Sequence, residues 1–256
     1  MSLSGQSVWV LGCGYLGRAL AAACRTIGAQ VLSVDFSPTT GPDLCADFSA
    51  PDTLAQMKLR AGLPDLIFCC QATHGGSLED YRRCYVEPLR LLAADGLVGK
   101  CVMCSSTSLY GTMTERGKIL NEAEGLVLAA GGCVARLAAL YGPGRCELLR
   151  RHLAGEPRLP GAAERVFNYL HVQDAVDALL VLAESGGCCI YPVCGESVTK
   201  AAVYARMEQL TGVTASSEDS PPGRRGGSCV ALNCAAIRAL GWTPRHRLAE
   251  LFAGAN

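Results

Sequence analysis

Ser7-Val8-Trp9-Val10-Leu11-Gly12-Cys13-Gly14-Tyr15-Leu16-Gly17 runs from an apolar strand into three spaced glycines, and an Ala/Leu-rich stretch then leads through Val31–Val34 to an acid, Asp35. The spacing predicts a βαβ unit: strand Ser7–Leu11, helix Leu16–Thr26, second strand at Val31–Val34. Each glycine has its own task. Gly12 makes the tight turn, Gly14 admits a pyrophosphate to the backbone, and Gly17 lets the helix press on the strand. The helix beginning near Tyr15 turns its unpaired N–H groups and positive end towards that anion, so the loop needs no lysine. Tyr15 and Leu16, inside the fingerprint, are expected at the nucleotide with the glycines.

Asp35 stands about twenty residues beyond the glycines, where a carboxylate accepts hydrogen bonds from the adenosine ribose. A 2′-phosphate would meet that negative charge, and neither Phe36 nor Ser37 offers a compensating cation. NAD is therefore expected rather than NADP, with Phe36 beside the adenosine.

The chain has 256 residues and zero formal net charge, enough length for a sizeable core and no excess of one charge to attract nucleic acid or an acidic membrane surface. Small soluble ligands are favoured. Met1-Ser2-Leu3-Ser4-Gly5-Gln6 has neither a basic nor an apolar leader pattern, and no apolar run is long enough to span a bilayer, so a cytoplasmic protein is expected. Fifteen cysteines suggest a disulfide framework, yet Cys69-Cys70, Cys101, Cys104, Cys133 and Cys188-Cys189 fall in apolar, strand-like runs, where free cysteine fills core. Cys101-x-x-Cys104 has redox or metal spacing, but on a strand those side chains face opposite ways, and no second ligand pair accompanies them. No metal is expected.

Further strands are expected at Leu66–Cys70, Lys100–Cys104, Gly132–Leu137 and Cys188–Pro192, with helical stretches at Leu78–Ala94, kinked at Pro88, and at Val172–Glu184. Apolar strands alternating with helices imply an α/β fold, a doubly wound parallel sheet (Rossmann fold) with a small C-terminal α/β lobe. We assign the nucleotide domain to residues 1–144 plus 169–195 and the small, substrate-side lobe to 145–168 plus 196–256. Ser216–Gly227, rich in Ser, Pro and Gly, is expected to be an exposed loop.

Leu11–Gly17, Ala46-Asp47-Phe48, Cys104-Ser105-Ser106-Thr107-Ser108-Leu109-Tyr110-Gly111, Arg136–Arg145, Tyr169–Asp174 and Leu240-Gly241-Trp242-Thr243-Pro244 occur in this order. Together they resemble the extended short-chain dehydrogenase/reductase family, in particular its NAD-dependent epimerase/dehydratase group, almost end to end. The resemblance implies that Asp47 and Phe48 contact adenine, that Gln71, Ala72 and Thr73 follow the cofactor, and that Ser105 approaches the nicotinamide ribose. Ser106 matches the active-site serine that hydrogen-bonds the reacting oxygen, with Thr107 beside it on the substrate side. A serine that merely satisfies nearby backbone groups is the alternative. Arg145 is a candidate for a substrate phosphate, or a solvated loop arginine. His171 is expected to anchor the segment before the last long helix. The substrate implied is a small hydroxyl-bearing molecule such as a nucleotide sugar, and the assembly a homodimer.

One part of the family pattern is missing. Proton transfer there uses a tyrosine followed four positions later by lysine, whose ammonium lowers the phenol's pKa. The only lysines are Lys58, Lys100, Lys118 and Lys200, and none stands four residues after a tyrosine. Tyr141 precedes Arg145 by four, but across a Gly-Pro-Gly turn rather than on a helix. Asn121 reads as an N-cap with Glu122 and Glu124 in the first turn and Gly131-Gly132 as the stop, a helix of two or three turns with the motif-bearing part cut away. Tyr110 remains as the stand-in acid, packing being its other role. Two functions stay open: an NAD-dependent oxidoreductase, epimerase or dehydratase, and an NAD-binding sensor or subunit without turnover.

Overall fold

The computed structural model describes residues 3–73, 75–159, 161–185, 187–214 and 230–253. In chain order the elements are β1 (Ser7–Leu11), α1 (Tyr15–Thr26), β2 (Gln30–Asp35), β3 (Leu44–Cys45), α2 (Pro51–Ala61), β4 (Leu66–Cys69), α3 (Leu78–Tyr85), α4 (Glu87–Ala94), β5 (Cys101–Ser106), α5 (Glu115–Ala129), β6 (Cys133–Leu137), β7 (Ala139–Tyr141), α6 (Glu147–Leu153), β8 (Val166–His171), α7 (Val172–Ser185), β9 (Ile190–Val193), β10 (Glu196–Thr199), α8 (Lys200–Thr211), α9 (Ala235–Ala239) and α10 (Leu248–Ala253).

The main sheet has the order β3-β2-β1-β4-β5-β6-β9. Its ladders from β3 to β5 are parallel. The chain leaves β1 on one side to build β2 and β3, then returns to lay β4 on the other side, so the order reverses at β1. A crevice opens beyond the strand ends at such a reversal. The central strands explain their own position: Val8, Trp9 and Val10 of β1 and Ile67 and Phe68 of β4 are wholly buried, as strands covered on both faces must be.

The chain groups into two compact units, one of residues 1–106, 113–136 and 176–191, the other of 107–112, 137–175 and 192–256. Residues 107–112, 137–144, 169–175 and 192–195, assigned from sequence to the nucleotide domain, group with the second unit. That unit has its own sheet, β10-β8-β7, with β8 antiparallel to β10 and parallel to β7. Its core includes Tyr141, Leu148, Tyr169, Tyr204, Met207 and Phe252.

Three local expectations are corrected. The stretch Leu78–Ala94 is two helices, because Pro88 has no N–H to give and takes a first-turn place in α4. The helix expected to begin at Asn121 begins seven residues earlier: Thr114 is the cap, its hydroxyl accepting from Gly117 N–H at 3.0 Å, and α5 runs for 15 residues. Cys188 and Cys189 are exposed and precede β9, so they fill no core. The remaining cysteines of the described residues are free thiols. Ser216–Gly227 lies outside the described residues.

Candidate functional site

At Gly12 the backbone takes φ +89°, and a Cβ there would lie 2.4 Å from the Gln71 amide nitrogen. A Cβ on Gly17 would lie 1.8 Å from the Gly12 carbonyl oxygen. Both glycines are thus demanded by close approach, one of the β4 end to the loop and the other of the helix to the loop. Gly14 differs: a Cβ there would meet nothing within 4 Å. It is the N-cap of α1, brings no side-chain cap, and its carbonyl receives the first helical bond, from Arg18 N–H. The first-turn amides of a helix have no acceptor within it, so the space above Gly14 faces the positive end of α1. Leu16 is buried and anchors that turn from below.

Asp35, 6% exposed, holds the loop in place. Its Oδ2 accepts from Cys13 N–H at 2.6 Å and its Oδ1 from Ser37 N–H at 2.9 Å. An ionised carboxylate has about four acceptor sites, so capacity remains for hydroxyl donors. Phe36 projects outward, 68% exposed. Beyond β4, Gln71 is buried and its Oε1 has no hydrogen-bond partner, an acceptor left over beside Gly12. Ala72 and Thr73 continue the same connection.

Asp47 forms an ion pair with Arg83 and accepts from the Ser49 hydroxyl at 2.7 Å. Burial alone would raise its carboxyl, but the Arg83 and Ser49 hydrogen bonds outweigh it and hold the group below its ordinary range. Phe48 lines a small cavity with Leu11, Met57 and Leu92.

Ser105 and Ser106 leave β5 on opposite faces. The Ser105 hydroxyl donates to Glu124 of α5, which is 1% exposed and receives both arms of the Arg136 guanidinium at 2.9 and 2.6 Å. That serine hydroxyl, expected at the nicotinamide ribose, is directed to a buried ion pair that sequence reading missed. Ser106 stands half-buried at the strand end. Thr107 and Tyr110 bound a short 3-10 turn, with Tyr110 40% exposed. Arg145 is exposed on a turn in which Gly142 and Arg145 exchange backbone bonds.

Helix α5 has 15 residues, longer than the two or three turns expected, and contains no tyrosine. Its cations are engaged elsewhere. Arg116 lies 5.4 Å from the centre of the Tyr81 ring and donates to the Gly76 carbonyl at 2.6 Å, and Lys118 pairs with Glu115 at 2.7 Å.

The second unit contains a cluster that the sequence did not disclose. Asp174, fully buried, accepts from the backbone N–H groups of Arg245 and His246 and binds His246 Nδ1 at 2.9 Å. The Trp242 indole N–H donates to its carbonyl. His171 stacks on His246 with ring centres 3.9 Å apart, and Tyr141 meets His171 edge-on. Burial, then the neighbouring His246, holds the His171 pKa below its ordinary value of 6.5. Anchoring is still the role of His171, but through a ring stack.

Among the described residues no cluster of three or more His, Cys, Asp or Glu could hold a metal ion, and no helix is long and apolar enough to cross a membrane.

No family model and no curated protein matches the chain. Solved structures do. MoeE5 in complex with UDP-glucuronic acid and NAD is 26% identical, with 96% of each chain covered and a TM-score of 0.79. The UDP-glucose 4-epimerase of Thermus thermophilus, in complex with NAD, is 19% identical, again over 96% of each chain, with a TM-score of 0.80. UDP-glucose 4-epimerase from Thermotoga maritima, with UDP-glucose, is 18% identical over 96% of each chain at a TM-score of 0.78. The chain thus has the fold of the extended short-chain dehydrogenases/reductases.

Proposed function

We propose that this chain is an NAD-dependent oxidoreductase of the epimerase/dehydratase type, acting on a hydroxyl-bearing substrate such as a nucleotide sugar. The observation that carries the reading is the glycine cradle: two glycines fixed by contact, a third open above an uncapped helix start, and a buried aspartate fastening the loop. The complexes of MoeE5 and of the Thermus enzyme with NAD support it. When bound, NAD supplies a hydride acceptor. Gly12, Gly14 and the Tyr15–Gly17 turn hold the diphosphate by main-chain amides. Asp35 takes the ribose hydroxyls with its remaining lone pairs, leaving no place for a 2′-phosphate. Asp47 and Phe48 belong to the adenine end, and Gln71, Ala72 and Thr73 to the run towards the nicotinamide, with Ser105 contributing by its backbone because its hydroxyl is bound to Glu124. Ser106 orients the reacting oxygen, Tyr110 exchanges the proton, and Thr107 and Arg145 serve the substrate. The homodimer belongs to the same proposal and is tested by sedimentation of the full chain.

A second reading, an NAD-binding protein without turnover, is favoured by one observation: α5, at 15 residues, carries no tyrosine. Calorimetry with NAD and NADH, followed by nicotinamide absorbance on adding UDP-glucose and UDP-glucuronic acid, separates the two. Binding with a substrate-dependent absorbance change supports the enzyme, and binding without it the second reading. Absence of binding overturns both.

A further inference from the structure

Strands β4 and β5 bring four cysteines together as two cross-strand pairs. Their parallel register sets Cys69 opposite Met103, which puts Cys70, one residue on, opposite Cys104. The sulfurs of Cys70 and Cys104 are 3.6 Å apart. Cys69 and Cys101, which lie on the other face of the sheet, are 2% and 1% exposed, sealed from any solute. Cys70 and Cys104 are only half-buried, and Cys104 shares its strand face with Ser106. From these observations we propose that Cys70 and Cys104 form an oxidation site, a dithiol that a hydroperoxide converts to a disulfide directly beneath the glycine loop.

The geometry suits a disulfide. Adjacent strands lie about 4.8 Å apart, inside the Cα separation a disulfide spans, and closing the bond draws the sulfurs together by roughly 1.5 Å. The Cys104 thiol gives up its proton, the thiolate attacks one peroxide oxygen, the O–O bond breaks, and the departing hydroxide takes up the released proton as water, leaving a sulfenic acid. Cys70 sulfur then attacks the Cys104 sulfur, the S–O bond breaks, and the oxygen leaves as a second water with the Cys70 proton. Two electrons pass from sulfur to peroxide. The hydrogen bond with Cys104, together with burial, holds the Cys70 thiol above its ordinary range.

The same pair touches the nucleotide loop. Cys70 N–H donates to the Leu11 carbonyl at 2.7 Å. The Cys70 Cβ would be 3.3 Å from a Cβ on Gly17, and its carbonyl carbon 2.7 Å from one on Gly12. Drawing Cys70 towards Cys104 shifts the surface on which the loop and α1 rest, so oxidation weakens nucleotide binding. This second half rests on the proposed NAD site; the chemistry of the pair does not.

The full chain, reduced and then treated with limiting hydrogen peroxide, is alkylated and mapped by peptide mass. The expected product is two hydrogens lighter, with Cys70 linked to Cys104 ahead of every other pair, and the link persists in Cys69→Ala. A different first pair, or Cys104 recovered as sulfinic acid with Cys70 still alkylatable, overturns the proposal. Cys104→Ser and Cys104→Ala keep NADH affinity and lose the mass change. NADH titration of the oxidised chain is expected to give a Kd about tenfold higher than the reduced chain, reversed by dithiothreitol, and an equal Kd overturns the coupling to the loop. If reduced chain binds no NADH, the functional reading fails while the mapped disulfide still decides the oxidation site.

Discussion

At the scale of single residues, the three glycines of the loop predict three different mutants. A Cβ on Gly17 collides with the Gly12 carbonyl at 1.8 Å, so Gly17→Ala must displace α1 from the loop and is expected to lower the thermal midpoint and NADH affinity together. Gly14 has φ −72° and open space around it. Gly14→Ala should therefore leave stability within about 0.5 kcal/mol while weakening NADH about tenfold or more, a loss of at least 1.4 kcal/mol, because only the ligand meets the methyl group. Paired melting curves and NADH titrations check this, and a Gly14→Ala chain that binds like the parent removes the diphosphate from the loop. Asp35 fastens Cys13 and Ser37, and in the proposed function it also refuses a 2′-phosphate. Asp35→Ala leaves the buried Cys13 N–H without its acceptor, a cost of about 1–3 kcal/mol, whereas Asp35→Asn keeps one acceptor oxygen for Cys13 N–H and loses the charge and the bond from Ser37 N–H. The expected outcome is a parent chain that prefers NADH over NADPH, and an Asp35→Asn chain in which that preference narrows, both read by competitive titration, with a smaller loss of stability than in Asp35→Ala, read by thermal melting.

At the scale of elements, α5 shows where sequence reading succeeds and where it fails. The stop at Gly131-Gly132 is legible, since Gly131 adopts φ +89° just beyond the C-cap Ala130. The start is not, because Asn121, Glu122 and Glu124 imitate a cap and an acidic first turn. Glu122 instead pairs with Arg82 and Arg90 at 2.9 Å each, and Glu124 is buried against Arg136. These partners are distant in sequence, so no local pattern discloses them. The burial of Ile119, Leu120, Ala123 and Val127 gives a helical stripe that begins before Asn121 and was the available signal. Two substitutions test the element. Thr114→Ala should cost about 1 kcal/mol through the lost cap, whereas Asn121→Ala should be near neutral. Glu124→Ala strands the Arg136 guanidinium and the Ser105 hydroxyl in the core and should cost about 3–5 kcal/mol, measured by denaturant unfolding. A Glu124→Ala chain as stable as the parent would show that the triad contributes nothing to holding β5 and β6 against α5.

At the scale of the whole molecule, the first unit was legible and the second largely was not. Ser7–Leu11 was read to the residue because a strand buried on both faces is a continuous apolar run bounded by turn signals. Strands β8 and β10 are partly exposed and carry mixed residues, such as Glu196-Ser197-Val198-Thr199, so their period is weak. The bond from Asp174 to His246 spans 72 positions, which no window can see. That cluster sets the pH response. The folded-state pKa of His171 is below 6.5, so as pH falls through the unfolded value near 6.5 the unfolded chain takes up a proton that the folded chain refuses. Stability is complete above that value, is lost as pH falls through it, and levels out below the folded pKa. Asp43 and Asp47 act in a lower window. Despite burial, which raises them, hydrogen bonds from Ser33 and Arg25 on Asp43 and from Arg83 and Ser49 on Asp47 keep both carboxyls low, so their contribution disappears only as pH falls below the usual carboxylate range near 4. Thermal midpoints of the parent should therefore drop in two stages on acidification, and His171→Gln should remove the first stage while keeping the second. A first stage that survives His171→Gln would assign it to a group other than His171.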